Sequence, residues 1–317
     1  MPITRRFFNA ALAAALALPL LNAVPALAQN KTIRIGYQKY GTLVLLKGRG
    51  TLEEKLKPLG WSVEWTEFPG GPQLLEALNV GAIDFGSTGE APPIFAQAAG
   101  APLVYVAHEP PAPRGEAILV PKDSPIQSVA ELKGKKVALN KGSNVHYLLV
   151  KALEEAKLSY PDVETVFLPP ADGRAAFEQG SVDAWAIWDP FQAAGEVAIE
   201  ARTLRNGEGI VSNHQFYLGA KSFVDANKEP LDALIAAIGE VDEWTKANPA
   251  EAAATLAPSV GIPADVLKVA LERQSYGVKP LSAEVVEEQQ KIADTFFDLK
   301  LIPAKLSIKE VVPGVSQ

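Results

Sequence analysis

The chain repeats itself. TIRIGY, ending at Tyr37, returns as KKVALN, with Ile33 and Ile35 matched by Val137 and Leu139. The alternating run SVEWTEFPG returns as VETVFLPP, with Pro69 matched by Pro169. EALNVGAIDFGSTGEAP then returns as AAFEQGSVDAWAIWDP, which pairs Gly81 with Gly180, Ile83 with Val182 and Asp84 with Asp183. The matches keep their order at a spacing of about 100 residues, the mark of one structural unit used twice. Within each unit short β-rich runs alternate with helical patterns such as QLLEALNVG and IFAQAAG, an order that builds a parallel sheet. The predicted class is therefore α/β: two lobes, each a βαβαβ-type unit, with a ligand cleft between them.

Two extended segments have the length to join such lobes. EAILVPKDSP crosses from the first to the second, and HQFYLGAKSF crosses back. Residues 29–116 are expected to begin lobe one, 117–216 to form lobe two, and 217–317 to return to lobe one. The returning part is helical, with apolar residues at helical spacing from Pro230 to Asn248 and again in EVVEEQQKIADTFFDLKLI. It is expected to complete the first lobe and wrap it.

Ligands of open α/β sheets sit beyond the carboxyl ends of the strands. The repeat therefore nominates cleft residues directly. They are Gln38, Pro69-Gly70-Gly71 and Thr88-Gly89-Glu90 in the first lobe, and Gly142-Ser143-Asn144, the segment from Pro169 to Asp172 and Trp188-Asp189 in the second. The spacing sets Gly89 against Trp188 and Glu90 against Asp189. Glycines leave backbone N–H groups unobstructed, hydroxyls stand at helix starts, and free N–H groups with the helix dipole favour an anion there.

Each of these residues also has a plainer reading. Thr88 and Ser143 suit helix caps, Gly70 and Gly71 suit a turn, and Gln38 suits a solvated loop. His146 is either a first-turn helix residue or a donor to the anion. Glu90 and Asp189 are either acids that stabilise their own helix starts, holders of a cationic ligand group, or excluders of dianions. Trp185 is assigned to the core and Trp188, at a strand end, to contact with the ligand's organic part.

Residues 1–28 read as an export signal: Arg5 and Arg6 without an acid, a short apolar core, and Ala26-Leu27-Ala28 as a cleavage site near Ala28. The paired arginines fit an ordinary positive leader or a twin-arginine signal. The chain has no cysteine, which removes disulfides, thiol nucleophiles and lipid attachment, so a free periplasmic protein is expected. The formal charge is −7, and loss of Arg5 and Arg6 makes it more negative, which argues against nucleic-acid partners. G-x-S-x-G, H-E-x-x-H and P-loop patterns are absent, and the three histidines lack metal-ligand spacing. Binding without turnover, metal or cofactor is the expectation.

RIGYQK, EFPGGPQLLEALNVGAIDFGSTGEAPPIFAQAAG, ELKGKKVALNKGSN and LPPADGRAAFEQGSVDAWAIWDPF together resemble the aliphatic sulfonate-binding proteins of ABC importers. The resemblance spans nearly the whole chain after the leader. It implies a type II periplasmic binding protein fold, a sulfonate held between the lobes, and handover by a monomer to an ABC permease and its ATPase. Carried over residue by residue, it supports Gln38, Gly70, Gly71, Thr88, Gly89, Glu90, Ser143, His146, Trp188 and Asp189 as the lining. The chain departs from the family pattern at Asn144, Tyr147 and Ser87, and is proline-rich in PPAPRGEAIL at the expected hinge.

Overall fold

The structure is a computed structural model that describes residues 31–313. The expected export signal at residues 1–28 lies outside the described residues. The first unit runs β1 (Lys31–Tyr37), α1 (Thr42–Arg49), α2 (Thr51–Leu56), β2 (Trp61–Glu67), α3 (Gly71–Asn79), β3 (Phe85–Thr88), α4 (Pro92–Ala98) and β4 (Leu103–His108). The second runs β5 (Glu116–Val120), β6 (Lys136–Leu139), α5 (Asn144–Glu155), β7 (Glu164–Phe167), α6 (Pro170–Glu178), β8 (Ala184–Trp188), α7 (Phe191–Ala198) and β9 (Arg202–Asn206). The chain then returns through β10 (Phe216–Ala220), α8 (Lys221–Ala226), α9 (Lys228–Ala247), α10 (Pro249–Val260), α11 (Ala264–Arg273) and α12 (Ala283–Asp298).

Two five-stranded sheets result, ordered β2-β1-β3-β10-β4 and β7-β6-β8-β5-β9. Strand for strand the orders are the same. The duplication extends to single hydrogen bonds. Asp84 accepts from the backbone N–H of Arg34 at 2.9 Å, and Asp183 accepts from that of Lys136 at 2.8 Å. Gly81 and Gly180 end their helices at φ 71° and 69°, the left-handed region that glycine enters without steric cost. The expected strand AIDFGST is shorter than its apolar run, because Ala82 closes the preceding helix onto Ala77 and Asp84 is spent on Arg34.

The crossings do more than connect. β5 lies antiparallel between β8 and β9, and β10 lies antiparallel between β3 and β4. Each lobe's sheet is thus completed by a strand that arrives from a crossing. β8 is central and buried along its whole length, which explains an apolar run with no polar alternation. Trp185 is core: a β-carbon on Gly173 of α6 would stand 2.8 Å from its Nε1, and one on Gly195 of α7 would stand 3.5 Å from its ring.

The tail departs from simple wrapping of the first lobe. Helix α9 buries Leu234, Ala237, Ile238 and Val241 and packs on α1 and α2. Helix α11, however, packs on α7, where Val266 and Ala270 bury against Ala193 and Ala194. The small residues of both helices let them approach closely, and the tail thereby clasps both lobes.

Candidate functional site

The carboxyl ends of β1, β2, β3, β6, β7 and β8 face one another, and the gap between them is closed. A β-carbon on Gly70 would stand 2.5 Å from Asn140 Nδ2 and 3.7 Å from the Trp188 ring. One on Gly89 would stand 2.8 Å from Asn144 Cγ across the gap, and one on Gly71 would meet Pro92 of its own lobe at 2.8 Å. Gly70 is in extended backbone (φ −171°), open to any residue, so its requirement for glycine comes from crowding, foremost by Asn140 of the other lobe and next by Gln73 Oε1 of its own at 3.0 Å. Asn140 Nδ2 also reaches Gln73 Oε1 at 3.4 Å.

Helix α3 begins at Gly71 and α5 at Asn144, so their first N–H groups, which no helical carbonyl can take, lie at this seam. The hydroxyls beside them are not helix caps. Thr88 donates to the Gly89 carbonyl at 3.0 Å, and Ser143 donates to the Asn140 carbonyl at 2.7 Å. Both are buried, and each hydroxyl oxygen keeps lone pairs free. Gln38 is buried rather than solvated, its Nε2 donating to the Ser87 carbonyl at 2.9 Å.

Next to the seam is a cavity of about 180 Å³, lined mainly by Phe68, Pro69, Pro169, Pro170, Trp188 and Phe191, with Gln38, Lys39 and Glu67 supplying polar atoms. Trp188 is 4% exposed and meets Phe191 edge-to-face at 6.3 Å. Apolar walls with a few polar atoms, beside a cluster of free N–H groups, suit a ligand with an anionic head and a carbon tail.

The two acids part company. Asp189 is a helix-start acid: its Oδ1 accepts from the Ala193 N–H at 3.0 Å and faces Arg273 of α11 at 3.5 Å. Arg273 also grips Glu196 of α7 at 2.5 Å. Burial pushes the Asp189 carboxyl up to about 7, against the pull of Arg273. Glu90 does not serve its own helix. Its Oε2 accepts from the His214 N–H on the return crossing at 3.1 Å, and burial pushes it up to about 8.

His146 lies in the first turn of α5, and both its ring nitrogens are engaged. Nδ1 accepts from the Gly142 N–H at 3.2 Å, and Nε2 meets the Tyr160 hydroxyl at 2.7 Å. Its ring sits among Phe95, Phe167 and Phe296, and burial lowers its pKa to about 4. It is a neutral residue of an aromatic contact that spans the lobes.

Residues at the seam beyond those nominated from the repeat include Asn140, Glu116, Asn213 and Arg273. Glu116 opens β5 opposite Trp188, is wholly buried, and accepts from Asn144, which also donates to Asn213 Oδ1 at 3.1 Å. The only signal for Glu116 was an acid heading an otherwise apolar strand. Asn213 and Arg273 carried none, since their partners lie far away in sequence. Among the described residues no group of three or more His, Asp or Glu side chains is placed to hold a metal ion, and no single helix is long and apolar enough to cross a membrane.

Comparison with known proteins agrees with this architecture. Residues 59–252 match the family described as NMT1/THI5 like. The chain is 46% identical over 289 residues (91% of this chain, 90% of the other) to an Escherichia coli (strain K12) protein named as an aliphatic sulfonates-binding protein. Among solved structures, it is 42% identical to the alkanesulfonate-binding protein SsuA from Xanthomonas axonopodis pv. citri bound to MOPS, with a TM-score of 0.85 over 89% of this chain and 97% of that one. The periplasmic aliphatic sulphonate binding protein SsuA from Escherichia coli is 45% identical, with a TM-score of 0.81 over 90% of this chain and 93% of that one. The two-lobed fold with paired five-stranded sheets is therefore that of the periplasmic binding proteins, and the chain belongs to the NMT1/THI5-like family, in its branch of aliphatic sulfonate-binding proteins.

Proposed function

We propose that this protein captures aliphatic sulfonates in the periplasm, as a monomer and without turning them over, and delivers them to an ABC permease with its ATPase. The observation that carries the reading is the meeting of two helix starts with an apolar cavity beside them. The sulfonate head is assigned to the N–H groups at the starts of α3 and α5, with Gly70, Gly71, Thr88, Gly89 and Ser143 around it. The hydroxyls of Thr88 and Ser143 rotate from their backbone carbonyls to the ligand, since each has one proton to direct. Trp188, with Phe68 and Phe191, forms the wall for the carbon tail. Asp189 and His146 act through position, the first by fixing the start of α7 and the second by holding the Lys141–Ser143 loop.

Magnitudes support the division. A helix start contributes about 0.3–2 kcal/mol to a nearby anion. Micromolar binding needs about 8 kcal/mol. Burial of about 150 Å² of alkyl surface supplies about 4 kcal/mol at 25 cal/mol per Å². Neither part suffices alone, so the reading requires both an oxyanion and a tail. Sulfate and nitrate have no tail and are expected to bind poorly. Calorimetric titration with ethanesulfonate and butanesulfonate, against sulfate and nitrate, tests it. Sulfate binding as tightly as butanesulfonate would overturn the assignment.

A further inference from the structure

Two acids meet at the cleft floor from opposite lobes. Glu90 follows β3 in the first lobe and is 1% exposed, and Glu116 opens β5 in the second and is fully buried. Asn144, at the start of α5, stands between them. Its Nδ2 donates to Glu116 Oε2, and its Cγ would be 2.8 Å from a β-carbon on Gly89, the residue before Glu90. The same nitrogen donates to Asn213 Oδ1 at 3.1 Å, and Asn213 Nδ2 donates to the Ala112 carbonyl at 2.9 Å, so the link runs on to the segment just ahead of β5.

Both acids are short of donors. Glu90 Oε2 accepts from the His214 N–H at 3.1 Å, while Glu90 Oε1 and Glu116 Oε1 have no hydrogen-bond partner. Among the described residues no lysine or arginine is within ion-pair distance of either acid. A buried charge without a partner is expensive, and a carboxyl group escapes that cost by keeping its proton. Parting of the lobes would carry Asn144, Tyr147 and Glu116 away from Gly89 and Glu90 and admit water to both acids.

We propose that the cleft closes with proton uptake: Glu90 and Glu116 are carboxylates when the lobes are apart and carboxylic acids when the lobes shut on a ligand. The coupling deepens the sulfonate reading and rests on it for the ligand, whereas the meeting of the two acids belongs to closure itself.

The surroundings favour the protonated pair. Facing it are Tyr40 from the loop after β1, Tyr147 from α5, His214 from the return crossing, and Glu288 and Lys291 from α12. Burial, with the charge of Glu288, pushes Glu90 up to about 8, and burial with the charge of Glu90 pushes Glu116 well above the carboxylate range. A group whose pKa rises on closure binds a proton as the cleft shuts, so affinity falls as pH rises from the ordinary carboxyl range towards about 8. His146, lowered to about 4 in a contact that also spans the lobes, acts in the opposite sense, but only below its ordinary 6.5. Asp189, raised to about 7, adds to the fall below that pH, and variants of the pair separate its share.

The test is calorimetry of the mature protein with butanesulfonate between pH 6.5 and 8, in two buffers of different ionisation heat. The expected result is uptake of about one proton or more per ligand near pH 7, with binding at least fivefold weaker at pH 8 than at pH 6.5. The double variant Glu90→Gln, Glu116→Gln, whose amides stand in for protonated acids, is expected to lose most of the uptake and most of the pH dependence. Binding without proton uptake, at an affinity level across this range, overturns the proposal and leaves the sulfonate reading intact. Equal uptake by wild type and double variant also overturns it, since the proton then goes elsewhere. If butanesulfonate does not bind, the sulfonate reading falls and small-angle scattering of the ligand-free protein at pH 8 decides the proton coupling. A double variant more compact than wild type supports it, and equal radii of gyration overturn it.

Discussion

Gly70 and Asn140 face each other across the closed cleft with no room for a side chain at Gly70: a methyl there would sit 2.5 Å from Asn140 Nδ2, while the Trp188 ring at 3.7 Å would be in ordinary contact. The Gly70 backbone is extended and open to alanine, so the shortest obstruction comes from Asn140 of the other lobe, with Gln73 Oε1 of its own lobe next at 3.0 Å.

Gly70→Ala is therefore expected to weaken sulfonate binding with little loss of stability. Overpacking of this kind costs about 1–3 kcal/mol, or roughly 5- to 150-fold in Kd. Calorimetry with butanesulfonate reads the first effect and thermal unfolding of the ligand-free protein the second. Adding Asn140→Ala to Gly70→Ala is expected to restore part of the affinity, because it removes the atom that the methyl strikes. An unchanged Kd in Gly70→Ala would mean that this closed arrangement is not the binding form.

Trp188→Ala is expected to act according to tail length. The ring contributes apolar wall, so butanesulfonate should lose at least tenfold in affinity and methanesulfonate less than threefold. Truncating a nearly buried tryptophan also costs about 3–5 kcal/mol of stability, and comparison of the two ligands on the same variant separates wall from fold. Equal losses for both would assign Trp188 to scaffolding alone.

Stability against pH carries the signature of the buried acids. Burial raises Asp189 to about 7, Glu90 to about 8 and Glu109 to about 9, all above their unfolded values near 4. The folded protein then keeps protons that the unfolded chain has lost, and stability falls as pH rises through this range. His146, lowered to about 4, has the opposite slope, but only between about pH 4 and its ordinary value of 6.5. Above pH 6.5 the acids act alone. The thermal midpoint of the ligand-free protein should fall by several degrees from pH 6.5 to 8.5, and Glu90→Gln should flatten the fall. A midpoint that rises over this range would show that these acids are ionised in the folded state.

How much of this was legible in the sequence follows from which interactions are local. The duplicated units were visible because strand, turn glycine and aspartate recur within short windows: Asp84 and Asp183 sit at matching positions and perform the same task. The insertion of β5 and β10 into the opposite lobes' sheets was not visible, since an extended segment looks the same whether it pairs or merely crosses. The loop ends proposed as the site were located by the repeat. The direction of each side chain was not, because His146 turns into an aromatic cluster that Phe95 and Phe296 complete from the other lobe. Arg273 stands 84 residues from Asp189, beyond any pattern that spacing reveals.

That same arginine yields a further expectation. Arg273→Met removes the pairings with Asp189 and Glu196 and leaves Asp189 buried without a counter-charge. Loss of a largely buried pair costs up to about 3–5 kcal/mol, less where water reaches it as here. Since the pair joins α11 to α7 across the lobes, the variant should release ligand several-fold faster while associating at a normal rate. Stopped-flow kinetics reads both rates. An unaltered dissociation rate would mean that the clasp holds equally in open and closed forms.

One ligand is expected to bridge the two helix starts and the Trp188 wall. A crystal structure of the mature protein grown with butanesulfonate would show it. Sulfonate oxygens should lie within hydrogen-bond distance of N–H groups at the starts of α3 and α5, and the butyl chain against Trp188 in the cavity of about 180 Å³. Sulfonate oxygens on Lys39, or a butyl chain away from Trp188, would rule the arrangement out.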